Sequence, residues 1–170
     1  MIEKKIETSF GESKTIEDKA CEFVIPYFVK MYWDNFEDVR MVEEYWKEDI
    51  DFFVNGNWME MKAFKMTTQS FLFELKREEK DKTKQWNLLT SQAEYWLIVD
   101  NSIKTGWLFK LKELQMLVLK TIKNKQLENT TRKLYKIKDN WEWRYSWCVW
   151  IRKDYIISHS EFIKIIDFNS

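Results

Sequence analysis

One histidine, one proline, three glycines and two cysteines are all that the 170 residues contain of these types, and each scarcity closes a class of function. A Ser-His-Asp triad would have to be built on His159, and no nucleophile elbow accompanies it. Neither an HExxH motif nor a zinc-finger ligand set occurs. The glycine-rich loops GxxxxGK[ST] and GxGxxG are absent, which excludes nucleotide-binding folds of those types. Cys21 and Cys148 are too few for a disulfide framework and read as reduced thiols, pointing to a cytoplasmic protein. No apolar run approaches the length of a membrane span, and the opening MIEKKIETSFGESK lacks the apolar stretch of a secretory leader. So little glycine and proline argues against linkers, and the length suits one domain over residues 1–170.

Aromatic residues make up 17% of the chain, ten of them tryptophan, which implies a well-packed core and stacking surfaces. The net charge of zero conceals a segregation. Residues 1–60 carry 7 Lys and Arg against 15 Asp and Glu, residues 61–138 carry 17 against 8, and residues 139–170 carry 4 against 5. An acidic segment followed by a basic one suits a cation site beside a polyanion groove; solvated helix faces account for it equally well.

Along the chain, Ile16, Ala20, Phe23, Val24, Tyr27, Phe28 and Met31 recur at helical spacing. They predict a helix from Gly11 to Tyr32, with Ser13 as its cap and Pro26 as a kink or split. Strands are expected at Asp38–Trp46, Ile50–Val54, Trp58–Phe64 and Ser70–Leu75, followed by a charged loop or helix end at Lys76–Gln85. A helix is expected over Thr90–Asp100, a short strand at Trp107–Lys110 and an amphipathic helix at Leu111–Lys123. Two late strands within Lys133–Lys138 and Arg144–Arg152 precede a closing helix at Glu161–Ile166. This order predicts a mixed α/β (α+β) domain, one central mixed β-sheet flanked by helices.

The most informative signal is Asn55-Gly56 between two apolar runs, a strong mark of a tight hairpin. A two-residue loop pairs Val54 with Asn57, Phe53 with Trp58, Phe52 with Met59 and Asp51 with Glu60. Two carboxylates held directly opposite call for a cation or a raised pKa. A bridging magnesium or manganese ion answers that need with hard oxygen ligands. Alternation sets Glu60 and Lys62 on the same face as Asp51, and Ile50, Phe52, Val54, Met59, Met61 and Ala63 on the apolar one. Glu74, opposed to Phe71, Phe73 and Leu75, is expected to join the polar face.

Asp51 followed by Glu60-Met61-Lys62 resembles the D…(D/E)xK signature of the PD-(D/E)XK (restriction-endonuclease-like) nuclease superfamily, although no proline precedes Asp51. The segment EDIDFFVNGNWMEMKAF is similar to its active-site hairpin, and FLFEL, with Glu74, to the next core strand. Trp86 through Thr90, Ser91, Ala93 and Glu94 resembles the Trp…Ser-x-Ala-Asp pattern of phage and bacterial members. The resemblance spans roughly residues 12–120. It implies a metal-dependent DNA endonuclease with Asp51, Glu60 and Lys62 catalytic, Asp51 and Glu60 holding the metal, and an acidic residue from the first helix in support. Glu17 is preferred over Glu22 for that last role.

Lys76, Lys80, Lys82, Lys84, Lys104, Lys110 and Lys112 are the candidate contacts to nucleic acid. Trp141, Trp143, Tyr145 and Trp147 share one strand face, which with Trp150 suits core packing or a homodimer interface better than base stacking. A catalytically inactive nucleic-acid-binding or protein-interaction module on the same fold is the alternative reading.

Overall fold

The computed structural model describes residues 10–46, 48–66, 69–79, 82–85, 87–124, 132–139, 144–161 and 163–170; at 10–13, 46, 76–79, 82–85, 87, 132–139 and 144–147 it describes the backbone alone. The chain is a mixed α/β protein built on a six-stranded mixed sheet flanked by helices. Helix α1 (Phe10–Tyr32) leads through a single 3-10 turn into β1 (Phe36–Asp38), the one-turn helix α2 (Glu43–Trp46), β2 (Phe52–Val54) and β3 (Asn57–Phe64). Strands β4 (Ser70–Glu79) and β5 (Lys82–Gln85) precede β6 (Tyr95–Asp100), β7 (Thr105–Lys110) and helix α3 (Leu111–Lys123). Strands β8 (Arg132–Asp139) and β9 (Arg144–Arg152), helix α4 (Lys153–His159) and β10 (Ile163–Asp167) complete the order.

The six-stranded sheet runs β1-β2-β3-β6-β7-β10, and its one parallel pair is β3 with β6. Strands β5-β4-β9-β8 form a second, antiparallel sheet. Strand β6 shows how the layers stack. Leu97 and Val99 join Ala20, Val24, Phe28, Phe52, Met59 and Met61 in a core against α1. Trp96 and Ile98, on the other face, join Phe71, Phe73, Val149 and Ile151 of the second sheet and Leu111, Leu114 and Val118 of α3. A strand covered on both faces reads as one continuous apolar run, which is why Tyr95–Asp100 carries no alternation.

That property overturns the helix expected over Thr90–Asp100: Tyr95-Trp96-Leu97-Ile98-Val99 is the central strand. Within Lys76–Gln85, expected as a loop or helix end, residues 76–79 belong to β4 and 82–85 form β5, antiparallel to it, with Arg77 paired to Lys84 and Glu79 to Lys82. Asp38–Trp46 ends as a strand at Asp38, and Glu43–Trp46 turns once as helix. The closing segment is β10 rather than a helix, and α4 forms before it. Helix α1 starts upstream of Ser13 and continues through Pro26. Its buried stripe ends at Phe28, since Met31 is largely exposed. The helix expected at Leu111–Lys123 and the strands around 133–138 and 144–152 form where the periodicity puts them. No helix among the described residues is long and apolar enough to cross a membrane.

Gly106 lies where β7 is flanked by Val99 of β6 and Ile166 of β10. A β-carbon there would stand 2.8 Å from the Phe168 ring and 3.0 Å from Leu97. Phe168 in turn packs its ring on Phe23 and Tyr27 of α1, with centroids 5.4 and 5.2 Å away. Gly106→Ala is therefore expected to displace Phe168 and destabilise the protein by about 1–3 kcal/mol. The urea midpoint measures it, and an unchanged midpoint would show that Phe168 yields without cost.

Candidate active site

The hairpin forms with the expected loop. Asn55 and Gly56 both adopt positive φ, 49° and 83°, the backbone that a two-residue turn matched to strand twist requires. Its register is Val54 with Asn57, Phe53 with Trp58 and Phe52 with Met59. There the ladder stops. The Asp51 N–H donates to the Met59 carbonyl at 3.0 Å, and the Asp51 carboxylate turns inward to accept the Met61 N–H at 2.7 Å. Beyond Met59, the side of β3 away from β6 has no strand partner among the described residues. The carboxylate takes a place that a longer β2 would fill with a carbonyl.

Met59 and Met61 point to α1, so alternation turns Glu60 and Lys62 to the opposite face, shared with Trp58 and Phe64. Glu60 is only 2% exposed and is in direct contact with the Lys62 ammonium. The Lys62 side chain keeps 27% of its surface, and its Nζ lies 5.8 Å from the Trp96 ring centroid. Ile50, expected on the face of Phe52 and Met59, belongs instead to the core between the sheets, because the chain leaves the β2 ladder at Asp51.

Glu17 lies one turn before the buried Ala20 and Cys21, on the same stripe of α1. Asn101 fixes this end of the helix: its side chain donates to the Ile16 carbonyl at 2.8 Å, and its N–H to the Phe64 carbonyl at 2.9 Å. Glu22, the other candidate, is exposed.

Burial raises the carboxyl pKa of Glu17, with Lys62 opposing, and of Asp51, where Lys62 and the Met61 N–H oppose. It lifts Glu60 furthest, with Lys62 opposing and Asp51 adding to the rise. Burial alone would lower the Lys62 ammonium, but Glu60, Asp51 and Glu17 outweigh it and hold it above its ordinary value. Both directions say that a proton is held tightly at the Glu60–Lys62 pair. Lys62, with three acids around it and part of its surface in water, is the group that carries it.

The structure thus brings Asp51, Glu60, Lys62 and Glu17 together, and it leaves Glu74 apart. Phe71 and Phe73 face the core between the sheets, so Glu74 points from the far face of β4, opposite Cys148 of β9. Of the seven lysines, the side chains of Lys104, Lys110 and Lys112 are described. Lys80 lies outside the described residues, as do the side chains of Lys76, Lys82 and Lys84. Lys104 and Lys110 sit at opposite ends of β7, the first with its Nζ 5.8 Å from the Phe23 ring centroid and the second 3.8 Å from Glu113. Lys112 is exposed on α3. Trp141 and Trp143 lie outside the described residues, as do the side chains of Tyr145 and Trp147.

The sequence pattern named Ser91 and Glu94 without their roles and passed over Gln92. Ser91 donates to the Asp49 carbonyl at 3.0 Å, and the Gln92 N–H to the Glu48 carbonyl at 3.1 Å, which fixes the approach to Asp51. The Glu94 carboxylate accepts the Trp58 N–H at 2.8 Å. The Ser-x-Ala-Glu stretch therefore holds both arms of the hairpin, which the pattern flagged without giving the mechanism. Arg40 carried no motif at all.

As a metal centre the donor set fits in kind. Asp51 and Glu60 are hard carboxylates that burial penalises as anions, the condition a divalent cation relieves. In number it is lean: among the described residues no group of three or more His, Cys, Asp and Glu is arranged to hold an ion.

Comparison of the chain with models of known protein families, with curated proteins and with solved structures gives no match.

Replacing Lys62 tests the electrostatics independently of function. In Lys62→Met, Glu60 is buried beside Asp51 with no contacting cation, and its folded pKa rises further. A raised folded pKa contributes stability that is whole below the ordinary glutamate value and is lost as pH climbs through the folded value. The deficit of Lys62→Met against wild type should thus be small near pH ~5 and grow to about 3 kcal/mol near pH ~8. Urea unfolding at both pH values measures this, with Glu60→Gln/Lys62→Met as the control that flattens the dependence. A deficit independent of pH would count against a buried Glu60 charge.

Proposed function

We propose that this protein is a metal-dependent nuclease, a magnesium- or manganese-dependent endodeoxyribonuclease on a restriction-endonuclease-like scaffold. The observation that carries the reading is the gathering of Asp51, Glu60 and Lys62 where β3 runs past the end of β2, with Glu17 reaching in from α1. Nothing in packing calls for that set. An apolar hairpin edge would fold at lower electrostatic cost, because a buried ion pair is weak as a stabilising device.

In this reading Asp51 and Glu60 hold the ion. When bound, it polarises a phosphodiester and makes a coordinated water more acidic. Lys62, kept protonated by its three acids, orients the attacking water or meets charge developing on the phosphate. Trp96 and the core behind it exclude water from one side of the ammonium, so its charge acts through a low dielectric. The Met61 N–H aims the Asp51 carboxylate, so the ligand is oriented before any ion arrives. Glu17 adds negative charge to the cation side.

One observation favours a second reading, a nucleic-acid-binding or protein-interaction module without catalysis. The absence of a three-ligand group among the described residues leaves an ion to be completed by water and substrate oxygens. The two readings part on plasmid DNA. The nuclease reading expects cleavage that requires magnesium or manganese and falls by roughly 100-fold or more in Lys62→Ala and in Asp51→Asn. Cleavage that survives both substitutions removes the site assignment, and no cleavage with either metal leaves the binding module.

A further inference from the structure

The chain after β1 carries a cation that the hairpin motif does not contain. Arg40 is the only arginine among the first 76 residues and stands in the acidic segment. Its Nε and Nη2 donate to the two oxygens of Asp38 at 2.9 and 2.7 Å, and its backbone N–H donates to Asp38 Oδ1 at 3.2 Å. This is a two-pronged grip that fixes the plane of the guanidinium. The same group lies over the Phe52 ring, 5.5 Å from its centroid. Asp38 is the ladder partner of Phe52, and Val39 donates its N–H to the Asp51 carbonyl at 3.0 Å. Arg40 is therefore attached through its neighbours to both residues at the end of β2, and its side chain keeps 25% of its surface.

A two-residue Arg–Asp loop on the surface contributes little to stability, so stability is a poor reason for this arrangement. A site with Glu17, Asp51 and Glu60 repels a polyanion, and an oriented guanidinium at its rim offsets that. A planar guanidinium whose orientation Asp38 fixes matches phosphate oxygens, which a lysine's point charge does not. Resting on the nuclease reading above, we propose that Arg40 is a phosphate-binding residue of this site, with Asp38 as its positioning residue and a DNA phosphate beside the one to be cleaved as its ligand.

The test uses the whole chain and a short blunt DNA duplex. Affinity is measured against salt in the Lys62→Ala background, where cleavage is suppressed, and cleavage in the otherwise wild-type protein. Arg40→Ala should reduce the salt slope of binding by about 1 and lower cleavage roughly 100-fold, mostly through KM. Arg40→Lys, which keeps the charge and the packing on Phe52, should keep the slope and lower cleavage roughly 10-fold, as loss of the planar guanidinium alone requires. Asp38→Asn should fall between wild type and Arg40→Lys. If Arg40→Ala does not fold, the Arg40→Lys and Asp38→Asn results decide. Wild-type cleavage and binding in these variants, from a wild type that cleaves, would overturn the role of Arg40 and leave the nuclease reading in place. A wild-type protein that neither cleaves nor binds the duplex would overturn both.

Discussion

The hydrogen bond from the Met61 amide to the Asp51 carboxylate is the constraint on which the rest of the site depends. A strand edge must satisfy its N–H groups, and the usual answer is another strand. Here β2 gives out after three residues and one side chain substitutes for the missing backbone. The substitution has two consequences. The chain is released from the ladder, so Ile50 swings into the core between the sheets and Asp49 takes a left-handed turn at φ 52°. And β3 keeps a margin with no strand partner among the described residues, around which side chains from both faces of the sheet meet. Glu17 comes from the α1 side and Glu60 and Lys62 from the other. A fully paired β2 would separate them.

The price of this margin is charge in a poor solvent. Glu60 is buried among aromatic and aliphatic side chains, and its carboxylate is tolerated because Lys62 touches it. Lys62 in turn is held by more acids than it can neutralise. That excess of negative charge is the physical reason to look for a cation, whether an ion or Arg40, at the same place. It also explains why neutral overall charge says little about this region, since the imbalance is local and set by folding.

What could be read from the sequence follows from which signals are local. The hairpin was legible because Asn55-Gly56 fixes a turn, the turn fixes a register, and alternation then sorts Glu60 and Lys62 from Met59 and Met61. Helix α3 was legible because one face is apolar and the other is not. The failures share the opposite cause. Tyr95–Asp100 is covered on both faces, so its period vanishes and only its β-branched and aromatic content argues for a strand. Residues 76–79 and 82–85 are strand without an apolar face to reveal it, since the pairing of β4 with β9 is a long-range fact. Glu74 was assigned to the site by assuming that β4 continues the hairpin sheet. The chain instead departs to a second sheet, and alternation within β4 then points Glu74 away. Periodicity gives the face of a strand; it does not give the sheet.

Arg40, and the role of the Ser91–Glu94 latch, went unread for a further reason. Their roles depend on contacts across dozens of residues, such as Ser91 with Asp49 and Glu94 with Trp58, or on the position of β1 beside β2. Short motifs mark residues whose spacing along one strand is already geometry. Groups that hold such a motif in place are spaced by the fold, and a sequence does not say what they hold. The same logic limits what linear charge segregation can mean. Lys104 and Lys110 are six residues apart in the basic segment, yet β7 sets them roughly 17–20 Å apart, and one leans on Phe23 while the other approaches Glu113. A polyanion-binding surface has to be assembled by sheet order. Arg40, which β1 brings beside the acidic site, comes from the acidic segment of the chain.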